Sequence, residues 1–220
     1  MAPSTSVQST TDADWRPKVI IFDLLTALLD SWTLWNASTP TGTEEEGRRW
    51  RARYLEITFG QGDYVPYEDL VRQAAAEAGV APSAPASLLR NWSSLQAWPE
   101  VPDVLARLRA RGYRLGVVTN CSRALGTAAG GRAGAFDTVV TAEESGFYKP
   151  RREAYAAILA AMGVEPGEAL FVAGSAGDVQ GATEAGMTVV WHNRVGLAAK
   201  GAAVPLRESR SLDDALRGFI

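Results

Sequence analysis

The stretch Val19-Ile20-Ile21-Phe22-Asp23 decides the fold of this 220-residue chain. Four apolar residues, three of them β-branched, are typical of a parallel strand buried on both faces, and this run ends at a carboxylate. Similar apolar runs recur later in the chain, at residues 114–118, 138–140, 169–172 and 188–191. We therefore predict a parallel sheet with Asp23 at the carboxyl end of its first strand.

The segments between these runs have the apolar spacing of helices. Residues 101–111, 152–162 and 179–185 show it, and several of these segments are closed by glycine, as a helix C-cap would be. Strands that alternate with helices predict a Rossmann-like, doubly wound α/β core. In such a core the functional site lies where the strands end.

Residues 36 to about 98 interrupt this alternation. Residues 44–59 and 67–78 have helical patterns, no convincing strand occurs between them, and prolines near residue 100 mark the return to the core. We predict a helical insert at 36–98, a core formed by 18–35 and 99–220, and a disordered tail at 1–17.

Composition excludes several classes of function. The net charge is -3, and the 22 basic and 25 acidic residues are interspersed, which argues against binding to nucleic acid or an anionic membrane. The single cysteine, Cys121, excludes an internal disulfide and a multi-thiolate metal site. Neither a leader segment nor an apolar membrane span is apparent. We expect a cytoplasmic protein that acts on a small molecule.

Four polar motifs follow the predicted strands in a fixed order. They are Phe22-Asp23, Thr119-Asn120, Lys149-Pro150 and the run at 174–178. In this order and at this spacing they resemble the four motifs of the haloacid dehalogenase superfamily, over roughly residues 18–194. The resemblance implies a hydrolase core with a helical cap over its active site, at the place of the predicted insert.

Asp23 is the candidate nucleophile. A carboxylate that is buried at a strand end and held by a lysine and hydroxyl donors can attack an electrophilic carbon and form an ester that water later opens. Lys149 would keep Asp23 ionised, and Thr119 with Asn120 would donate hydrogen bonds to it or to a substrate carboxylate. Asp178 is expected to pair with Lys149.

One stretch of the insert resembles a particular group of enzymes within the superfamily. Residues 50–59 are similar to the cap helix of the L-2-haloacid dehalogenases, in which a Trp-Arg pair supplies the arginine that receives the halide; Arg51 matches it. These enzymes use no metal, so the resemblance implies neither a metal nor a cofactor, and it implies a small 2-substituted carboxylic acid as substrate. A homodimer is left open. The candidate substrate-binding residues are Leu25, Thr26, Trp32, Trp35, Tyr155 and Ser175.

Several positions depart from the dehalogenase pattern. Leu25 and Ala27 stand where those enzymes have Tyr and Thr, with Thr26 displaced by one position, and Ala173-Gly174-Ser175 replaces a Ser-Ser-Asn run. A related enzyme type opens the ring of L-azetidine-2-carboxylate, and an apolar Leu25 with nearby tryptophans would suit such a ring. The leaving group therefore stays open between a halide and a strained ring amine.

Two other interpretations also stay open. A Mg²⁺-dependent phosphatase of this superfamily needs a second Asp two residues after the nucleophile and an Asp in the fourth motif, where this chain has Leu25 and Gly174. A catalytically inactive relative that serves as a binding protein is the other interpretation, because Ala27 and Ala173 remove hydrogen-bond donors.

Cys121 and His192 are reactive residue types outside these motifs. A Cys-His pair would need His192, the one histidine of the chain, so we expect Cys121 to be a small buried thiol. We expect His192 to lie at a strand end near the mouth of the site, without acting as a base.

Overall fold

The computed structural model describes residues 15–220, in which six strands form one parallel sheet in the order β3-β2-β1-β4-β5-β6. The strands are β1 (Val19–Phe22), β2 (Arg114–Thr119), β3 (Thr138–Thr141), β4 (Ala169–Ala173), β5 (Thr188–His192) and β6 (Arg207–Ser209). The first five were predicted to within one residue. The edge strand β6 was missed because its sequence, Arg-Glu-Ser, contains no apolar run.

Helices cover both faces of the sheet. The core helices are α5 (Val101–Ala110), α6 (Arg123–Ala133), α7 (Ala142–Ser145), α8 (Arg152–Met162), α9 (Ala176–Glu184) and α10 (Leu212–Ala215), counted after four helices of the insert. In the central strand β1, Ile20 and Phe22 pack into one hydrophobic cluster, whereas Val19 and Ile21 pack into the other. Burial of both faces explains the unbroken apolar run, and the predicted doubly wound α/β fold is confirmed.

The predicted helical insert falls in the segment between β1 and α5, whose first helix begins before residue 36. It contains α1 (Ser31–Ala37), α2 (Glu44–Gln61), α3 (Tyr67–Glu77) and α4 (Ala84–Arg90). The two linkers pair where Leu29 forms an antiparallel bridge with Ala97. The predicted boundary at residue 36 therefore falls inside α1, whose Trp35 packs on Trp50 of α2 with ring centroids 4.5 Å apart.

The described chain begins with residues that pack on the core. The Trp15 indole donates a hydrogen bond to the carbonyl of Gly167 (3.1 Å) and meets the Phe219 ring edge-on. The predicted tail reached residue 17, so its last three residues are part of the fold, whereas residues 1–14 lie outside the described region. Within residues 15–220, no helix is long and apolar enough to cross a bilayer.

Candidate active site

A small cavity lies where α2 of the insert covers the carboxyl ends of β1, β2 and β4. Its volume is about 30 Å³. Its lining residues are Asp23, Leu25, Thr26, Thr119, Asn120, Lys149, Ser175 and Asp178 from the core and Arg51, Tyr54, Leu55 and Phe59 from α2. The last three were not singled out from the sequence, although their spacing of three, four and eight residues from Arg51 places them on its helix face.

Asp23 is 6% exposed and both of its carboxylate oxygens accept hydrogen bonds. Oδ1 lies 2.8 Å from the Lys149 ammonium. Oδ2 accepts from the backbone N–H groups of Thr26 (2.9 Å) and Ala27 (3.1 Å), and also from the Thr26 hydroxyl. Burial alone would raise the pKa of Asp23, but the Lys149 charge and these donors outweigh it and hold the pKa below its ordinary value. Asp23 is therefore an ionised carboxylate at neutral pH.

The hydroxyl of Thr26 resolves one departure from the dehalogenase pattern. The threonine that those enzymes have at position 27 is Ala27 here, but the displaced Thr26 side chain donates to Asp23. The turn after β1 brings the Thr26 hydroxyl and two backbone N–H groups to the same carboxylate oxygen. The change at Ala27 thus leaves Oδ2 fully supplied with donors.

Lys149 bridges two buried carboxylates. Its ammonium lies 2.8 Å from Asp23 Oδ1 and 3.1 Å from Asp178 Oδ1, the pairing that the motifs predicted. Burial would lower the pKa of Lys149, but the charges of Asp178 and Asp23 outweigh it and raise that pKa. Burial keeps the pKa of Asp178 above its ordinary value, because Lys149 only partly offsets it and Asp23 adds repulsion.

Asn120 and Thr119 line the cavity, but neither side chain donates to Asp23. The Asn120 amide makes two hydrogen bonds to the backbone of Lys149, donating to its carbonyl (3.0 Å) and accepting from its N–H (2.7 Å). The Thr119 hydroxyl donates to the Cys121 sulfur (3.4 Å). The predicted hydrogen bonds to the nucleophile are therefore corrected: Asn120 positions Lys149, and the donors to Asp23 come from Lys149, Thr26 and Ala27.

Arg51 is the positively charged residue that α2 contributes to the cavity, on the side formed by the insert. It is 1% exposed, and its Nε and Nη1 atoms have no hydrogen-bond partner among the described residues. Its guanidinium lies over the rings of Trp32 (4.6 Å) and Trp35 (5.3 Å), and burial lowers its pKa. Cation–π contacts hold the group without satisfying its donors. A buried guanidinium with free N–H groups that faces a cavity is suited to bind an anion.

Three predicted substrate contacts take other roles. Trp32 and Trp35 support Arg51 and do not line the cavity around Asp23. Tyr155 is fully buried and does not line this cavity, and the Tyr155 hydroxyl donates to Asp178 Oδ1 (3.0 Å). Ser175 does line the cavity, and its hydroxyl donates to Asp178 Oδ2 (3.1 Å).

Cys121 and His192 are both buried, and neither lines the cavity around Asp23. Burial raises the pKa of Cys121 to about 12, so the thiol stays neutral and unreactive at physiological pH. The Nδ1 atom of His192 lies 2.7 Å from the carbonyl oxygen of Ala27, in the turn that holds Asp23. His192 therefore buttresses the turn and does not line the cavity.

The residues of the cavity do not fit Mg²⁺. Position 25 is an apolar leucine, and Gly174 stands where the phosphatases carry a ligand. A Cβ atom at Gly174 would overlap with Thr26 and the backbone nitrogen of Ala27, so no aspartate could replace it without moving the turn. Across residues 15–220, no three or more His, Cys, Asp or Glu side chains are placed to share a metal.

Comparisons with known proteins agree with this geometry. The family model for haloacid dehalogenase-like hydrolases matches residues 18–186. An (S)-2-haloacid dehalogenase of Pseudomonas sp. (strain YL) is 30% identical over 195 residues, covering 81% of this chain and 84% of the relative. A solved L-2-haloacid dehalogenase is 28% identical with a TM-score of 0.81, covering 92% of this chain and 98% of that one.

A phosphatase relative matches a shorter region. The glyceraldehyde 3-phosphate phosphatase of Methanothermobacter thermautotrophicus (strain Delta H) is 35% identical over 107 residues, which cover 47% of each chain. The family model and the longer relatives extend across the core and the insert, so they decide the assignment. The chain belongs to the family of haloacid dehalogenase-like hydrolases.

Proposed function

We propose that this hydrolase cleaves the C2 substituent from a small 2-haloacid through an ester on Asp23. The observation that carries the proposal is that one small cavity lies between an ionised carboxylate and a buried guanidinium, two of whose nitrogen atoms have no partner in the described part of the chain. The relatives named as 2-haloacid dehalogenases support this choice of substrate.

In the first step, Oδ1 of Asp23 attacks C2 of the substrate and the halide departs with the bonding electrons. We assign the attack to Oδ1 because it accepts only the Lys149 hydrogen bond, whereas Oδ2 accepts three. Arg51 stabilises the negative charge that develops on the leaving halide or holds the substrate carboxylate. The step forms one C–O bond and breaks one C–halogen bond.

In the second step, water attacks Cγ of the Asp23 ester and gives its proton to Asp178. Oδ2 becomes the oxyanion of the tetrahedral intermediate, and the N–H groups of Thr26 and Ala27 already lie at 2.9 and 3.1 Å from it. These distances are suited to an oxyanion hole. The raised pKa of Asp178 suits it to accept the proton. Collapse breaks the bond between Cγ and Oδ1, and the departing alkoxide takes the proton back from Asp178 and leaves as a 2-hydroxy acid. The Asp23 carboxyl, which keeps the water oxygen, loses its remaining proton to solvent and is again a carboxylate.

The insert at 36–98 serves in this proposal as a cap. Its helix α2 contributes Arg51, and its contacts with the core surround the site: Tyr54 donates to the carbonyl of Asn120 (3.1 Å), and the carbonyl of Val65 accepts from Tyr148 (2.8 Å). The cap excludes water from the first step, in which water would compete with Asp23.

A halide is the better leaving group for this site than the ring amine of L-azetidine-2-carboxylate. The protonated ring nitrogen of azetidine would be repelled by the Arg51 guanidinium, whereas a departing halide is attracted to it. The tryptophans that suggested a ring pocket contact Arg51. We therefore place azetidine ring opening second.

The decisive experiment is a single turnover of (S)-2-bromopropanoate in H₂¹⁸O with enzyme in excess. We expect ¹⁸O in the peptide that contains Asp23, and a lactate product that carries unlabelled oxygen from Asp23. Label in the lactate with none in the peptide would show that water attacks C2 directly. Release of phosphate from p-nitrophenyl phosphate that requires Mg²⁺, without turnover of any haloacid, would replace the proposal with the phosphatase interpretation.

A further inference from the structure

A second, larger cavity adjoins the one around Asp23. Its volume is about 150 Å³, and it lies between α2, the start of α9 and the loop after β5. Leu55, Phe59 and Ser175 line both cavities, so the two spaces share a wall. Other lining residues of the second cavity include Trp32, Gly177 and Leu197.

The Phe59 ring is seated on Gly177. A Cβ atom built at Gly177 would lie 2.5 to 2.8 Å from three atoms of that ring, closer than side chains pack. The ring therefore occupies the place that a side chain at position 177 would need. Phe59 is only half-buried, so it can be shortened without opening the main hydrophobic core.

We propose that Phe59 limits the length of the chain at C2 of the substrate by closing the passage from the catalytic cavity to the second cavity. This inference rests on the proposed function. The catalytic cavity, about 30 Å³, is smaller than the second cavity, about 150 Å³, so a longer chain at C2 would have to extend into the second cavity. The leucines and aromatic rings of that cavity make it a place for an alkyl chain, and removing the Phe59 ring joins the two spaces.

The test compares kcat/KM for (S)-2-bromohexanoate and (S)-2-bromopropanoate. We expect Phe59→Ala to raise the ratio of the two values at least about tenfold, because a longer chain gains apolar contact. Phe59→Leu should give an intermediate ratio. Ile57→Ala is the matched control: Ile57 is a partly buried residue of the same helix that packs on the main core and lines neither cavity.

Gly177→Ala supplies a second measurement. The added methyl group should displace the Phe59 ring and change the ratio in the wild-type background, but it should have no effect when combined with Phe59→Ala. Wild-type ratios in Phe59→Ala and Phe59→Leu, with (S)-2-bromopropanoate still turned over, would overturn this inference and leave the proposed function standing. Failure of the wild-type protein to turn over either acid would instead remove the proposed function, and this inference with it.

Discussion

The two walls of the active site differ in how completely their charges are paired. On the core wall, Lys149 contacts both Asp23 and Asp178, and the remaining carboxylate oxygens accept hydrogen bonds from neighbouring groups. On the insert wall, Arg51 is equally buried, but two of its nitrogen atoms have no hydrogen-bond partner within residues 15–220. The core wall is therefore already organised in the free protein, whereas in the proposed function the anion that binds would complete the insert wall.

The largest effect on activity is expected from a substitution on the core wall, whose charges are paired. Asp23→Asn should lower turnover at least about a thousandfold, because the amide has nearly the same shape but cannot attack carbon. Steady-state kinetics and circular dichroism would check the loss of activity and the retention of fold. A variant that keeps more than about a thousandth of wild-type turnover would contradict covalent catalysis by this residue.

Arg51 tests the unpaired wall. Arg51→Ala should reduce kcat/KM about a hundredfold or more, and Arg51→Lys should be nearly as harmful, because a point charge does not reproduce the planar donor group. Arg48→Ala and Arg53→Ala are matched controls, since both residues lie on the same helix in exposed ion pairs and should retain activity. Wild-type kcat/KM in Arg51→Ala would show that the insert does not take part in the reaction.

Thr26 tests how the paired wall holds its nucleophile. Thr26→Ala removes one donor to Asp23 Oδ2, so kcat/KM should fall about tenfold. Because donors to the ionised form lower a carboxyl pKa, the substitution should also raise the pKa of Asp23 and move the acidic limb of the pH profile to higher pH. Thr26→Ser should restore both properties. An unmoved acidic limb would mean that the hydroxyl does not help to keep Asp23 ionised.

The two walls should also differ in stability. Arg51→Met replaces an unpaired buried charge with an apolar chain of similar length and should raise the free energy of unfolding by about 1 to 3 kcal/mol while abolishing turnover. Lys149→Met should destabilise the fold, because it leaves two carboxylates buried without their cation. Urea unfolding of the wild type and the two variants would measure the free energy of unfolding of each. Loss of stability in both variants would mean that Arg51 is compensated in the free protein.

The smallest effect is expected from metal removal. Exhaustive EDTA treatment should leave kcat/KM unchanged, because Leu25 leaves a phosphatase reaction without its proton donor and Gly174 leaves no space for a metal ligand. Mg²⁺ added afterwards should not increase the rate. Activity that disappears with EDTA and returns specifically with Mg²⁺ would show that the paired wall holds a metal as well as Lys149.

The sequence allowed the sheet and the position of Asp23 at a strand end to be predicted because their signals are local. Each buried strand is a short apolar run; Asp23 and Thr119 directly follow two of these runs, and Ser175 lies two residues beyond the end of β4. Arg51 was selected through the family resemblance alone, because nothing in its own helix separates it from the other arginines. Its burial depends on tryptophans of α1 that meet it only in the folded chain.

Hydrogen-bond partners were predicted less well than positions. The amide of Asn120 turns toward the backbone of Lys149, and the hydroxyl of Tyr155 turns toward Asp178, since loop conformation and helix packing fix these directions. The contribution of Thr26 in place of Ala27 likewise depends on the tight turn after β1. Residue types at motif positions do not carry this information.

The bridge between Leu29 and Ala97 has a consequence for how this protein can change over evolution. The chain leaves the core and returns to it at neighbouring points, so residues 30–96 form an inserted segment. The length of this segment does not affect the register of the strands in the sheet. Lengthening such a segment adds only a small cost in chain entropy, which grows with the logarithm of its length. Recombination can therefore exchange this whole segment, and with it Arg51, while Asp23 and Lys149 stay in place.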